Sequence, residues 1–201
     1  RQRQMCIRDS LTSGKLKTQV VAGAGNFDSA IGTLPSTHET QIEEAWGSRE
    51  EAGLPPKPSL TAETRALLET IPTAGLSAQL RQRGLNNVVI EGVYPQTPGT
   101  KMVGTAKTLR FVPNREDLFK KHGGGFNAQK QCFDAVKDGE VIVIEARGES
   151  GSGTLGDILA LRAKNNGAAG VVTDGGVRDY SAVQEIGLPV FTQGAHPAVL
   201  G

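Results

Sequence analysis

The sequence has almost no cysteine, almost no net charge and no long apolar run. Cys6 and Cys132 are the two thiols among 201 residues. Two cysteines without a CxxC spacing argue against a disulfide framework and against a thiolate zinc site. A reducing, cytoplasmic setting is therefore expected. The formal net charge of +1 supplies no field that would recruit nucleic acid or an anionic membrane. No apolar stretch approaches the roughly 18 residues of a membrane span. Residues 1–10 carry basic side chains with no apolar core behind them, so they do not read as a signal peptide.

What is present divides the chain at a proline-rich linker. The first ten residues (RQRQMCIRDS) begin at Arg1 rather than Met and resemble translated sequencing-adapter sequence. They are set aside as artefactual. Residues 11–59 are poorly patterned, with one short helix expected over 39–46. Gly53-Leu-Pro-Pro-Lys-Pro58 favours extended backbone. The expected organisation is a tail and linker over 1–58 and a folded domain over 59–201, truncated at its C-terminal end.

Patterning sharpens after the linker. Thr61 is placed to cap a helix with Leu67, Leu68 and Ile71 on one side. Thr73 is placed to cap a second helix carrying Leu76 and Leu80. Residues 87–90 and 101–112 read as strands, the second stopped by Pro113. A glycine loop over 123–125 precedes a helix over 126–136, with Phe133 and Val136 facing inward. Residues 141–144 form an apolar run short enough for a buried strand. Residues 155–165 read as a helix stopped by Asn166-Gly167. Strands follow over 169–172 and 188–191, with a short helix between them ending at Glu185. Strand–helix alternation at this spacing predicts an α/β layer with parallel strands.

Two constellations carry chemistry. Gly151-Ser-Gly153-Thr-Leu-Gly156 matches G-x-G-x-x-G between a predicted strand and a helix. Asp174 lies near the offset of a ribose-binding acid. Together they suggest an NAD-binding oxidoreductase. Two details oppose it: five residues, Ala146 to Ser150, separate strand from glycine, and the Asp157 carboxylate would repel a pyrophosphate from the helix amides. A glycine-rich loop that only reverses the chain is the plainer reading.

The second constellation is Gly175-Gly-Val-Arg178-Asp179, at the carboxyl end of a strand, where ligands of open α/β sheets gather. Asp179 can hold a hard divalent cation through oxygen, and Arg178 can grip a carboxylate with two parallel hydrogen bonds. The alternatives are a surface salt bridge, or Asp179 as cap of the following helix.

The order Gly153-Thr-Leu-Gly-Asp157-Ile-Leu159, Gly167-Ala-Ala-Gly-Val-Val172 and Asp174-Gly-Gly-Val-Arg178-Asp179 resembles the signature of the RraA-like family. Ile71-Pro-Thr-Ala74 and Val103-Gly104-Thr-Ala106 fit the same pattern. That family includes 4-hydroxy-4-methyl-2-oxoglutarate aldolases and the regulators of ribonuclease activity. The resemblance implies a swivelling β/β/α domain, commonly a homotrimer. It also implies a class II aldolase that uses Mg²⁺, Mn²⁺ or another divalent metal and releases pyruvate, with oxaloacetate decarboxylation as a side activity. On this reading Asp179 ligates the metal, Arg178 contacts substrate, and backbone amides of Gly156, Asp157, Ile158 and Leu159 receive the pyruvate carboxylate. Asp157 is further expected to orient a water that carries the proton. A carboxylate from a neighbouring subunit, supplied in related chains by a region past the position of Gly201, is implied to complete the site, and this chain is expected to lack it. A non-enzymatic regulator that binds a ribonuclease is the alternative the same resemblance allows.

Other reactive residues read as structural. His122 and His196 sit in loops without a partner at metal-ligand spacing and read as exposed loop histidines. His38 and Trp46 lie in the tail. Cys132 reads as a buried helix residue, with no histidine placed to activate it. Lys107, Arg110 and Arg115 read as a solvated basic face.

Overall fold

The computed structural model describes residues 60–111, 116, 119–120 and 125–199. The expectations for Cys6, His38, Trp46, Arg115, His122 and the tail lie outside these residues.

Helix α1 (Ala62–Thr70) starts where the sequence places it: the Thr61 hydroxyl accepts the Thr64 N–H at 3.2 Å. Its last carbonyls are met by Lys101, whose Nζ donates to Glu69 O and Ile71 O, both at 2.7 Å. Leu67, however, stays 60% exposed rather than turning inward. Helix α2 (Thr73–Gln82) is capped by position at Pro72, with no side-chain bond. Thr73 is thus its first helical residue and not its cap. Residues 87–90 are not a strand; Val88, Val89 and Ile90 are all exposed. A short apolar run without a neighbouring strand to bond has nothing to hold it extended.

Two sheets follow. Strands β1 (Tyr94–Pro95), β2 (Thr105–Arg110), β3 (Glu140–Glu145), β5 (Gly170–Thr173) and β7 (Val190–Thr192) form the larger, in the order β1-β7-β5-β3-β2. Strands β4 (Gly153–Leu155), β6 (Gly176–Val177) and β8 (Gly194–Ala195) form the smaller, in the order β4-β6-β8. Every pairing is parallel except β1 with β7. Helices α3 (Ala128–Asp134), α4 (Asp157–Asn165) and α5 (Tyr180–Ile186) complete the layers. The chain repeats one path: large sheet, small sheet, helix, then back. It runs β3-β4-α4, β5-β6-α5 and β7-β8. This is the expected mixed α/β architecture.

The sequence Glu-Val-Ile-Val-Ile-Glu of β3 suits its place as an interior strand between β5 and β2. Ile142 is fully buried, opposite Lys107 of β2 and Val171 of β5. A parallel strand covered on both faces reads as a near-continuous apolar run, which is how it was visible. Phe133 and Val136 are buried as expected and join Ile142, Ile144, Leu155, Val171 and Val183 in one core. Asn166 fastens α4 to α3, its Nδ2 donating to Phe133 O at 3.1 Å. The boundary at 155 differs from expectation: Leu155 closes a strand, and α4 begins at Asp157.

Three buried threonines pin the passages between the sheets. The Gly175 N–H donates to Thr173 Oγ1 at 3.1 Å, the Thr173 and Thr154 hydroxyls lie 2.7 Å apart, and Thr154 Oγ1 donates to Gly176 O at 3.1 Å. Thr192 Oγ1 donates to Gly175 O at 2.8 Å. Each hydroxyl has its partner, so burial leaves no polar orphan along this chain of bonds.

Candidate functional site

Strands β4 and β6 run side by side, and each feeds a helix from its carboxyl end. The Arg178 N–H donates to Leu155 O at 2.7 Å, which sets Arg178 opposite Gly156. Asp157 and Asp179 follow, each at the start of a helix. The structure therefore brings together Gly156, Asp157, Arg178 and Asp179, whose two pairs lie 21 or more residues apart in the sequence.

Gly153 of β4 and Gly156, which follows it, leave room for those side chains. A Cβ on Gly153 would stand 2.1 Å from Arg178 Cγ, and one on Gly156 would stand 2.9 Å from Asp179 Oδ2. The spacing that imitates a dinucleotide fingerprint thus has another cause. The fingerprint fails twice more. Gly151 lies in the turn before β4 and Gly153 opens that strand, so neither forms the tight strand–helix turn the fingerprint needs. Both Asp174 oxygens are already taken, by the N–H of Ala146 and by that of Gly148 at 2.6 Å.

Arg178 Nε is buried and has no hydrogen-bond partner among the described residues. A buried guanidinium donor without an acceptor is costly, and an incoming carboxylate would satisfy it. Asp179 sits in the left-handed region, φ 48 and ψ 42, and makes no capping bond to α5. An L-residue rarely adopts this conformation, and it turns the carboxylate towards Gly156 instead of the α5 amides. The capping alternative for Asp179 is therefore not the role its geometry serves.

Asp157 is half-buried, and its Oδ1 accepts the Ile158 N–H at 2.7 Å. That amide is committed, so Ile158 does not offer the backbone donor expected of it. The Ile158 side chain is 74% exposed. The ladder of α4 closes first at Ala160, whose N–H donates to Gly156 O at 3.0 Å. The amides of Asp157 and Leu159 precede that closure and have no acceptor within the helix. The Leu159 side chain packs on the core. An open groove between α4 and α5, lined by Asp157, Ile158, Leu161, Ala182, Glu185 and Ile186, adjoins these residues.

His196, read from sequence as an exposed loop residue, is half-buried beside the site. Its N–H donates to Val177 O at 2.9 Å, which sets it next to Arg178 on the far side from Gly156. Nothing local in the sequence signals this, because the pairing of β6 with β8 is between distant segments. Of the other candidates, Arg110 is paired with Glu145. Cys132 is buried, and burial pushes its thiol from the usual 9.0 up to about 11.

The donor set suits a sparse oxygen site. Among the described residues no group of three or more His, Cys, Asp or Glu comes together to cage a metal. Mg²⁺ keeps several waters and needs only one or two carboxylates. Asp179, with a carboxylate not spent on capping, meets that need, with Asp157 at the head of the adjacent helix.

A parallel α/β chain with an Arg–Asp pair at the carboxyl ends of its strands defines a class of ligand-binding domain. The comparisons name the family within it. Residues 73–201 match the RraA-like family, Aldolase/RraA, and the chain belongs to that family. A relative named "Putative 4-hydroxy-4-methyl-2-oxoglutarate aldolase" from Halalkalibacterium halodurans is 32% identical over 125 residues, 62% of this chain and 53% of the relative. The crystal structure of Streptomyces coelicolor RraAS2, described as an unusual member of the RNase ES inhibitor RraA family, is similar at a TM-score of 0.63. The two are 31% identical over 73% of this chain and 69% of that one. The chain spans about half the length, or less, of the first curated relatives it matches.

A Cu-Zn superoxide dismutase of Salmonella typhimurium also matches, 30% identical over 52% of this chain and 68% of the relative. That enzyme is a β-sandwich, whereas the strands here are parallel and interleaved with helices. The fold overrules this likeness.

Proposed function

We propose that the protein is a divalent-metal-dependent class II aldolase that cleaves 4-hydroxy-4-methyl-2-oxoglutarate-like acids to pyruvate. The observation that carries the reading is the buried, unpartnered Arg178 Nε beside an Asp179 carboxylate that caps nothing. Structural roles would have consumed both groups.

In this reading Arg178 grips a substrate carboxylate with its guanidinium, and the amides of Asp157 and Leu159 at the head of α4 add backbone donors. Asp179 holds the cation, with Mg²⁺ the expected metal and Mn²⁺ an alternative. When bound, the cation supplies Lewis-acid stabilisation for negative charge developing on the 2-oxo oxygen as the carbon–carbon bond breaks. Arg178 stabilises the same charge from the protein side. Asp157, already fixed by the Ile158 amide, is placed to orient the proton carrier. Oxaloacetate decarboxylation would draw on the same charge stabilisation. The homotrimer implied by family resemblance would set a neighbouring subunit near the open groove at Asp157.

The second reading, a regulator that binds a ribonuclease, is favoured by the likeness to a protein of the RNase ES inhibitor family. A surface-binding regulator would not need Asp179 or the Arg178 donor. The test is pyruvate release from 4-hydroxy-4-methyl-2-oxoglutarate by chelator-treated protein, before and after Mg²⁺. Release that depends on Mg²⁺ supports the aldolase. Folded protein that binds a ribonuclease but releases no pyruvate supports the regulator.

A further inference from the structure

The chain leaving β8 does not run away from the small sheet; it returns to it. The Gly153 N–H donates to Ala198 O at 3.0 Å, so β4 is tied both to β6 and to the segment that follows β8. The point at which a Gly153 Cβ would stand lies 2.1 Å from Arg178 Cγ and 2.9 Å from Ala198 O. The stem of Arg178 therefore lies over Gly153, with the Ala198 carbonyl beside the same point.

His196 makes that return possible. Its Nδ1 accepts the Ala198 N–H at 3.2 Å, closing a tight turn across Pro197. The bond needs an unprotonated Nδ1, so the neutral ring carries its proton on Nε2. The residue is seated on Gly176, where an added Cβ would come within 2.7 Å of the His196 Cβ. Gly176 opens β6 and Arg178 continues its extended course two residues on, so His196 and Arg178 lie on the same side of the chain there.

We infer that His196 is a positioning residue for Arg178: by folding residues 196–198 back onto β4, it fixes the arginine stem against Gly153. This rests on the reading of Arg178 as the residue that grips the substrate carboxylate. The imidazole acts through Ala198 and touches no substrate. It holds the guanidinium where its buried Nε has no protein acceptor and must find one in the ligand.

The test uses three variants of the whole chain: His196→Asn, whose amide oxygen reaches the place of Nδ1; His196→Gln, which reaches the place of Nε2; and His196→Ala. Hydrogen exchange is followed by NMR at the Gly153 amide and at the Arg178 Nε–H, alongside pyruvate release. Exchange at both sites is expected to quicken about tenfold or more in the Ala and Gln variants and to stay near wild type in Asn, because only Asn keeps the acceptor. In the same order, kcat/KM is expected to fall by about tenfold to a hundredfold, the loss typical of a displaced positioning group. Unchanged Arg178 Nε–H exchange in His196→Ala would overturn the inference. So would a Gln variant that matches wild type while Asn fails, since that pattern assigns the work to Nε2. If the exchange pattern holds but wild-type protein releases no pyruvate with Mg²⁺, the aldolase reading fails and the positioning role stands.

Discussion

The carboxylate of Asp179 lies over Gly156: Oδ2 is 2.9 Å from the point a Cβ would occupy there. One residue's missing side chain is the other's working space. Gly156→Ala should therefore push the carboxylate aside. We expect Mg²⁺-dependent turnover to fall by about tenfold to a hundredfold, while the fold survives, since the Gly156 φ of −131 is open to any residue. Steady-state kinetics with circular dichroism check this. Wild-type turnover from the alanine variant would remove Asp179 from the site.

Arg178 is defined by its fork. Lysine in its place keeps the charge but loses the planar, paired donors. Arg178→Lys should lower kcat/KM by about a hundredfold or more, the loss seen when one preorganised donor to developing charge is removed. A rise in KM for the oxo-acid should accompany it. Kinetics equal to wild type would mean that a point charge suffices.

Thr173 accepts from the Gly175 N–H and donates to Thr154 in a chain of buried bonds. Thr173→Val keeps the shape and removes both. The Gly175 amide and the Thr154 hydroxyl are then each left short of a partner, which should destabilise the fold by about 1–3 kcal/mol. Urea unfolding measures it. A valine variant as stable as wild type would show that water replaces the lost bonds.

Cys132 should be inert in the folded chain. Burial raises its thiol from the usual 9.0 to about 11. The folded value lies above the unfolded one, so the stabilisation is complete below pH 9, where both states hold the proton. It is lost as pH rises through 9–11, because the unfolded chain releases its proton first. Iodoacetamide at pH 8 should leave the Cys132 peptide unlabelled until denaturant is added, as mass spectrometry would read. Rapid labelling in native conditions would contradict the buried placement.

How far the sequence reveals this protein depends on which partner each segment bonds to. The runs that became β3 and β5 were legible because both faces of those strands are buried, which leaves an unbroken apolar signature in Val141–Ile144 and at Val171. The Arg178–Asp179 pair was legible from its place after such a strand. The small sheet was not. Its strands are two or three residues long and rich in glycine, so Gly153-Thr-Leu155 read as the approach to a helix. Glycine there reflects the side chains lying on it, Arg178 and Asp179, and that relation is invisible until β4 and β6 pair. His196 was missed for the same reason, its neighbour being Arg178 across β6 and β8. The run at 87–90 misled in the opposite sense, apolar yet exposed.

Asp179→Asn tests the central claim most directly. Asparagine tolerates the left-handed backbone at 179, and no capping bond is lost, so thermal stability should hold. The measurement is Mg²⁺ binding by calorimetry together with Mg²⁺-dependent pyruvate release. The account predicts that both are lost in a folded variant. Undiminished Mg²⁺ binding and pyruvate release from Asp179→Asn would contradict it.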